Sequence, residues 1–552
     1  MGPLHSMATT LQAQSLLSID SIAQKLRLTP EDYEPVGRFG AKLNLGILGP
    51  GRASRKGKVI LVTATTPTTH GEGKTVVSIG LGQGLERIGR KAIVTSREPS
   101  LGPVFGMKGG AAGGGRSQVE PSAQINLHFH GDFHAITAAH NLLAAMIDSH
   151  LYFGNPLNLN PAQIEWPRAM DMNDRALRRV VVSAGEQDKA GHEGANRATG
   201  FVITAASEIM AILGLAASRA DLRRRLESIV AGISRDGRPV TAKDVGAAGA
   251  MMALLNEALL PNLVQTTEGT PAIVHTGPFA NIAHGTSSVL AQRMGVQLAD
   301  YVVNECGFAA DLGAEKYFDI VMGESGLQPA AAVVVATVQS LKAQGEGDLD
   351  AGFANLAHHV RVLQAYGAPV VVAINRFPGD TQEELAAIHV ECARLGVESA
   401  ITEAFSKGGA GSVDLAEKVV AAIEDNPQPA IRPVYAEKDP LQDKIGKVAT
   451  NVYGAEGVTF SDVALARLDR YTAWGLGNLP VCIAKTQYSL TDDPKRMGAP
   501  TGWTLRINDA KLSAGAGFVV AVAGNMMLMP GLPREPRALA IDVDDDGNIV
   551  GV

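Results

Sequence analysis

Cysteine is scarce in this chain of 552 residues: Cys306, Cys392 and Cys482 are the only three, and no two of them form a C-x-x-C pair. That excludes a disulfide framework and a zinc ribbon, and it fits a reducing cytoplasm. Nor does any apolar run reach the roughly 18 residues that a membrane-crossing helix needs. Excess positive charge is missing too: 49 Lys+Arg stand against 56 Asp+Glu, for a net charge of −7. Neither nucleic acid nor an anionic membrane has an electrostatic case as a partner. An acidic chain that binds phosphate must concentrate its cations locally, which singles out Lys74, Arg97 and Lys108. With 45% hydrophobic and only 19% charged residues, the composition is that of a well-packed α/β protein too long for a single compact core. The opening Met1–Ser6 matches a myristoylation pattern formally, but Pro3 fits it poorly; Met7 is the expected start.

What the chain does have is a phosphate cradle. A β-branched run over Val59–Thr63 leads into Thr66, Pro67, Thr68, Thr69, His70, Gly71, Glu72, Gly73, Lys74 and Thr75, and then into a helix over Val76–Arg87. Gly71 and Gly73 let the backbone curl so that successive N–H groups converge on phosphate oxygens. Lys74 adds a point charge for the β- and γ-phosphates, and the Thr75 hydroxyl can ligate Mg²⁺. The helix start behind them carries partial positive charge. Thr68 stands where the general pattern has glycine, yet the G-x-G-K-T core keeps its strand–loop–helix context. The chain is therefore expected to bind a nucleoside triphosphate.

Strand-like runs alternate with helical patterns, the signature of a mostly parallel sheet with helices on both faces. Buried strands are expected at Val59–Thr63, Ala92–Thr95, Ala272–His275, Tyr301–Asn304 and Ala332–Ala336. Helices are expected at Phe133–Ile147 and Gly246–Leu259. We expect a large nucleotide-binding domain of phosphate-loop NTPase type over residues 1–365, with an inserted lobe at about 165–240. Two smaller α/β domains follow, at 366–457 and 458–552. The acidic segment Asp542–Asn548 lacks the Glu of a calcium loop and reads as a hairpin turn.

Other stretches carry candidate chemistry. Arg97 follows a strand end, where ligands collect in open α/β sheets, and its guanidinium can clamp an oxyanion. The glycine-rich run 105–116, flanked by Lys108 and Arg116, permits close backbone approach to an anion. The segment 126–140 holds His128, His130, His134, His140 and Asp132. His128 and His130 would share a strand face, but no compact metal spacing is present, so no tightly bound transition metal is expected. A hydrogen-bonded core or a helix cap accounts for Asp132, which could also reach nucleotide-bound Mg²⁺ through water. Asn375 to Asp380 has the wrong spacing for guanine recognition; Phe377 and Pro378 instead offer a rigid flat surface for an aromatic ligand.

Taken together, these stretches resemble the formate–tetrahydrofolate ligases, also called 10-formyltetrahydrofolate synthetases. The resemblance rests on Thr66–Thr75, Arg97–Pro103, Lys108–Gly115, Asn126–Ile136, His275–Gly285, Gly307–Lys316, Val372–Pro378, Leu479–Tyr488 and Ser513–Phe518, and it covers nearly the whole chain. The size is that of the monofunctional bacterial form. The resemblance implies ATP-dependent ligation of formate to tetrahydrofolate through formyl phosphate, with Lys74 and Arg97 at the reacting phosphoryl group. It further implies folate stacked on Phe308 and Phe377 with Pro378 beside them, and Phe405 where many members have tryptophan. His70 also departs from the family, which usually has a small or apolar residue there. A homotetramer activated by K⁺ or NH₄⁺ is the implied assembly. Two other classes remain open on the residues alone: a phosphate-loop ligase for a different carboxylate, and a non-catalytic ATP-dependent switch.

Overall fold

The computed structural model describes residues 16–50, 56–69, 71–107, 110–182, 195–524 and 526–551. Its centre is a sheet built from β1 (Tyr33–Val36), β2 (Gly40–Leu43), β3 (Lys58–Ala64), β4 (Ala92–Ser96), β5 (Asn262–Thr266), β6 (Pro271–Val274), β7 (Tyr301–Glu305), β8 (Pro329–Ala336), β9 (Val370–Asn375) and β10 (Glu398–Thr402). The spatial order is β1-β2-β5-β6-β4-β7-β3-β8-β9-β10, with the short pair Gly113–Gly114 and Ser117–Glu120 attached at β5. From β6 to β10 every pairing is parallel, while the β1, β2 and β5 edge is antiparallel.

Side-chain alternation explains the layers. Ile60, Val62, Val333, Val335 and Val371 pack on one face with Val77, Leu81 and Leu85 of helix α1 (Lys74–Arg87) and with Val419 and Ile423 of a later helix. Val59, Leu61, Val334, Val372 and Ile374 face the larger core on the other side. Because both faces are buried, these strands are near-continuous aliphatic runs, which makes them legible in the sequence. The helix expected at 246–259 is shorter, Ala248–Leu255, and a separate turn of helix, Ala242–Val245, ends before it on Gly246 at φ +80°.

The boundary expected at 365/366 lies between β8 and β9, which are hydrogen-bonded neighbours of one sheet. The segment over about 165–240 forms three two-stranded sheets of its own, with part of it outside the described residues. From Gly457 onward a separate four-stranded sheet forms from Gly457–Phe460, Thr504–Ser513, Phe518–Ala523 and Val481–Ala484, in that spatial order. The Asp542–Val543 and Ile549–Val550 pair closes the expected acidic hairpin.

A buried ion pair ties this C-terminal unit to the rest. Lys485 Nζ lies 2.7 Å from Asp311 Oδ2, and their side chains are 0% and 3% exposed. Nearby, the Asn355 amide donates to the Gly498 carbonyl at 2.9 Å. Removing the lysine strands a carboxylate away from water, so Lys485→Met is expected to cost about 3–5 kcal/mol. The double change Asp311→Asn, Lys485→Met should recover much of that loss. Chemical unfolding midpoints test it; a single variant as stable as the wild type would contradict the account.

Candidate active site

The phosphate loop begins where β3 leaves the sheet, and the scaffold takes hold of it at once. Thr66 is buried: its N–H donates to Asn355 Oδ1 at 3.2 Å, and its hydroxyl meets Asn355 Nδ2 at 2.9 Å and His359 Nε2 at 3.0 Å. Glu72 is buried as well. Its Oε1 accepts from the Thr68 N–H at 2.7 Å, and its Oε2 accepts from the Thr337 hydroxyl. The Asn375 amide, at the end of β9, donates to the Glu72 carbonyl at 3.0 Å. The Thr66 and Glu72 side chains therefore brace the loop, leaving its backbone to face a ligand. His70 and Lys108 lie outside the described residues.

Gly73 precedes α1 at φ +69°, and a Cβ there would sit 2.4 Å from Asn375 Nδ2. The left-handed turn aims the unpaired N–H groups of the first helical turn outward. At that helix start, Lys74 and Thr75 converge with Arg97 on one carboxylate that no sequence motif singles out. Glu305, the last residue of β7, accepts the Thr75 hydroxyl at 2.6 Å through Oε2. Its Oε1 lies 3.5 Å from Lys74 Nζ and 3.3 Å from Arg97 Nη2. Arg97 is held a second time, by Nη1 donating to the Pro278 carbonyl at 3.1 Å. Burial pushes the Glu305 carboxyl up, but the charges of Lys74 and Arg97 and the hydrogen bonds from Thr75 and Arg97 outweigh it and hold it below the usual carboxylate range. Glu305 is an anion shared between two cations.

Of the expected stacking residues, Phe377 stands next to Gly73, Phe308 follows a glycine packed on Arg97, and Phe405 lies beside α1. Phe377 is half-buried, with its ring edge 3.9 Å from where a Gly73 Cβ would stand, and Pro378 beside it is exposed. Phe308 is half-buried at φ +59° and follows Gly307, whose Cβ would lie 2.9 Å from Arg97 Nη1. Phe405 is 60% exposed and lies over Gly114 and Gly115, next to Val76 of α1. Gly115, at φ +59°, has no room for a Cβ, which would sit 2.2 Å from the Phe405 carbonyl oxygen. The glycine run is thus a flat floor under an aromatic ring.

Asp132 belongs to a hydrogen-bonded core and neither caps its helix nor serves a nucleotide's Mg²⁺. It starts the helix Asp132–Tyr152, but both its oxygens are occupied: Lys42 Nζ at 2.6 Å and Asn262 Nδ2 at 2.8 Å. At 1% exposure and held in that pair, it is closed to a water on Mg²⁺. His128 and His130 lie in a turn, not on a strand, because Gly131 turns left-handed to open the following helix. His130 bonds Asn262, while His140, pushed down to about 4 by burial, bonds Ser207 and Pro167. Among the described residues, no group of three or more His, Cys, Asp or Glu gathers as a metal site.

Residues 6–552 match the family described as formate–tetrahydrofolate ligase. The chain is 52% identical to the formate–tetrahydrofolate ligase of Symbiobacterium thermophilum, over 98% of each chain. It is 52% identical to that of Allorhizobium ampelinum, over 98% of this chain and 99% of the relative. Against that of Paracoccus denitrificans it is 51% identical, over 97% and 98%.

Gly73→Ala follows directly from the loop geometry. Left-handed backbone at a residue with a side chain costs about 1–2 kcal/mol, and the added methyl displaces the Asn375 amide. ATP affinity is expected to fall by about tenfold or more, measured by calorimetric titration; unchanged affinity would contradict this loop's role.

Proposed function

Since the chain belongs to the formate–tetrahydrofolate ligase family, we propose that it joins formate to tetrahydrofolate with ATP, releasing 10-formyltetrahydrofolate, ADP and phosphate. The observation that carries the reading is the meeting of Lys74, Thr75 and Arg97 at the end of the phosphate loop. Formate is too weak an electrophile for an aryl amine. A formate oxygen therefore takes the γ-phosphoryl group, ADP leaves, and the resulting formyl phosphate offers phosphate as a good leaving group. The folate amine then attacks the formyl carbon, loses its proton, and inorganic phosphate departs.

Little covalent work falls to the protein in such a transfer; positioning and charge neutralisation dominate. Lys74 neutralises the transferring phosphoryl group. Arg97, with a fork that reaches two oxygens at once, holds the formyl phosphate. Thr75 fits a Mg²⁺ ligand, its hydroxyl standing at the helix start beside the phosphate loop. Mg²⁺ bound with ATP supplies charge neutralisation between phosphate oxygens. Phe377, Phe308 and Phe405 stack the pterin, with Pro378 at its edge. Support for this comes from their positions at Gly73, beside Arg97 and over Gly114.

The same reading includes a cytoplasmic homotetramer activated by K⁺ or NH₄⁺. Glu98, beside Arg97, fits such an ion: it is buried, and its Oε2 has no hydrogen-bond partner. No described helix is long and apolar enough to cross a membrane.

Arg97→Lys keeps a charge but loses the fork. It should retain ATP binding while kcat falls about 10²–10³-fold; a variant altered only in ATP affinity would remove Arg97 from the formyl phosphate role. For the pterin, Phe377→Ala should raise the KM for tetrahydrofolate several-fold, since stacking contributes about 0.5–1.5 kcal/mol beyond area burial. Steady-state titration of tetrahydrofolate measures this, and unchanged KM would place the pterin elsewhere.

A further inference from the structure

Glu305 has no role in the chemistry above, yet every cationic group of that chemistry touches it. The three contacts differ in kind. Thr75 donates at 2.6 Å, a tight hydrogen bond, whereas Arg97 and Lys74 stand at 3.3 and 3.5 Å. Charge-assisted N–H···O⁻ bonds close to about 2.7–2.9 Å when the partners belong to each other. The two cations are therefore loosely held and open to a second anion, while the hydroxyl is fixed.

A threonine hydroxyl has one proton and two lone pairs. With its proton on Glu305, Thr75 turns both lone pairs away from the carboxylate, in the orientation that ligates a cation. Among the described acids, Glu305 is the one that accepts from Thr75. Glu72 is taken up by Thr68 and Thr337, and Asp132 by Lys42 and Asn262. A divalent ion arriving with the nucleotide must then draw on phosphate oxygens, water and very few protein groups, which is the habit of Mg²⁺.

We propose that Glu305 is the positioning residue for the nucleotide's divalent cation. It presents the Thr75 oxygen to the ion, and before nucleotide binds it is the anion that Lys74 and Arg97 share until phosphate oxygens replace it. The inference rests on the ATP reading above but is independent of formate and folate.

The alternative is a carboxylate that merely neutralises two half-buried cations and so supports the fold. Equilibrium binding of ATP, with and without Mg²⁺ and with no other substrate, separates the two. In the wild type Mg²⁺ tightens ATP binding. In Glu305→Gln that gain should shrink by about 10–100-fold, as when groups orienting a metal ligand are removed. Metal-free ATP should bind as well or better, because a negative charge facing the phosphates is gone. Thr75→Val should lose the same gain, Thr75→Ser should keep it, and Thr75→Val combined with Glu305→Gln should be no worse than either alone. Should Glu305→Gln fail to fold, the Thr75 pair and Glu305→Asp carry the test, the aspartate losing the gain through its shorter reach. Parallel weakening with and without Mg²⁺ overturns the proposal, as does a full Mg²⁺ gain in Glu305→Gln. A wild type that binds no ATP sinks the nucleotide reading along with it, whereas one that binds ATP but fails to use formate leaves this proposal standing.

Discussion

Three strand ends meet at one carboxylate because parallel pairing sets them level. Glu305 lies opposite Val62 of β3, and its neighbour Asn304 lies opposite both Leu61 of β3 and Thr95 of β4. The phosphate loop leaves β3 just beyond Ala64, and Arg97 sits just past the end of β4. A one-residue slip in either pairing would turn every buried side chain of these strands to the other face. It would also carry Glu305 out of reach of Thr75. The aliphatic core on both faces is thus what holds the charges in place, and the site's geometry is inherited from apolar packing.

The residues of the loop divide their labour accordingly. Thr66, Glu72 and, from outside, Asn355, His359, Thr337 and Asn375 hold the loop's shape through buried hydrogen bonds. Each is costly to break, because a buried polar group left without a partner loses its hydration and gains nothing. Lys74 and Arg97 share one anion at longer distances instead, a looser arrangement that a phosphate can enter, while the same carboxylate fixes the Thr75 hydroxyl. Rigid backbone and an exchangeable lysine coexist within the loop, and the exchangeable arginine reaches it from the end of β4.

Much of this is legible in the amino-acid sequence. Val59–Thr63, Ala92–Thr95 and Val370–Asn375 are uninterrupted aliphatic runs, and the G-x-G-K-T core after the first of them locates the loop. Glu305 is not legible there, because the apolar run of its strand stops short of it, and a lone acid between Asn304 and Cys306 has no motif. Only the pairing of β7 between β3 and β4 reveals what it faces. The Val370–Asn375 run reads as the opening of a new domain for the same reason: an aliphatic strand does not disclose which sheet it joins. Asp132 misleads because its partner Lys42 lies 90 residues away in sequence. His128 and His130 alternate as a strand would, but Gly131 and the helix after it decide that segment. The short edge strand Glu398–Thr402 exposes Glu398 and Ile401 and buries Ser399 and Thr402, so it carries little apolar signal.

The chemistry proposed for this arrangement makes one demand that activation through an adenylate does not: an oxygen atom of formate must end in inorganic phosphate. The loop and its cations favour that path by gathering positive charge where formate, γ-phosphate and the mixed anhydride all carry negative charge. The most direct measurement is turnover of [¹⁸O]formate with ATP and tetrahydrofolate, followed by mass analysis of the inorganic phosphate. The account predicts one labelled oxygen per phosphate released, with the other retained in the formyl group of the product. Phosphate free of label during productive turnover would contradict it.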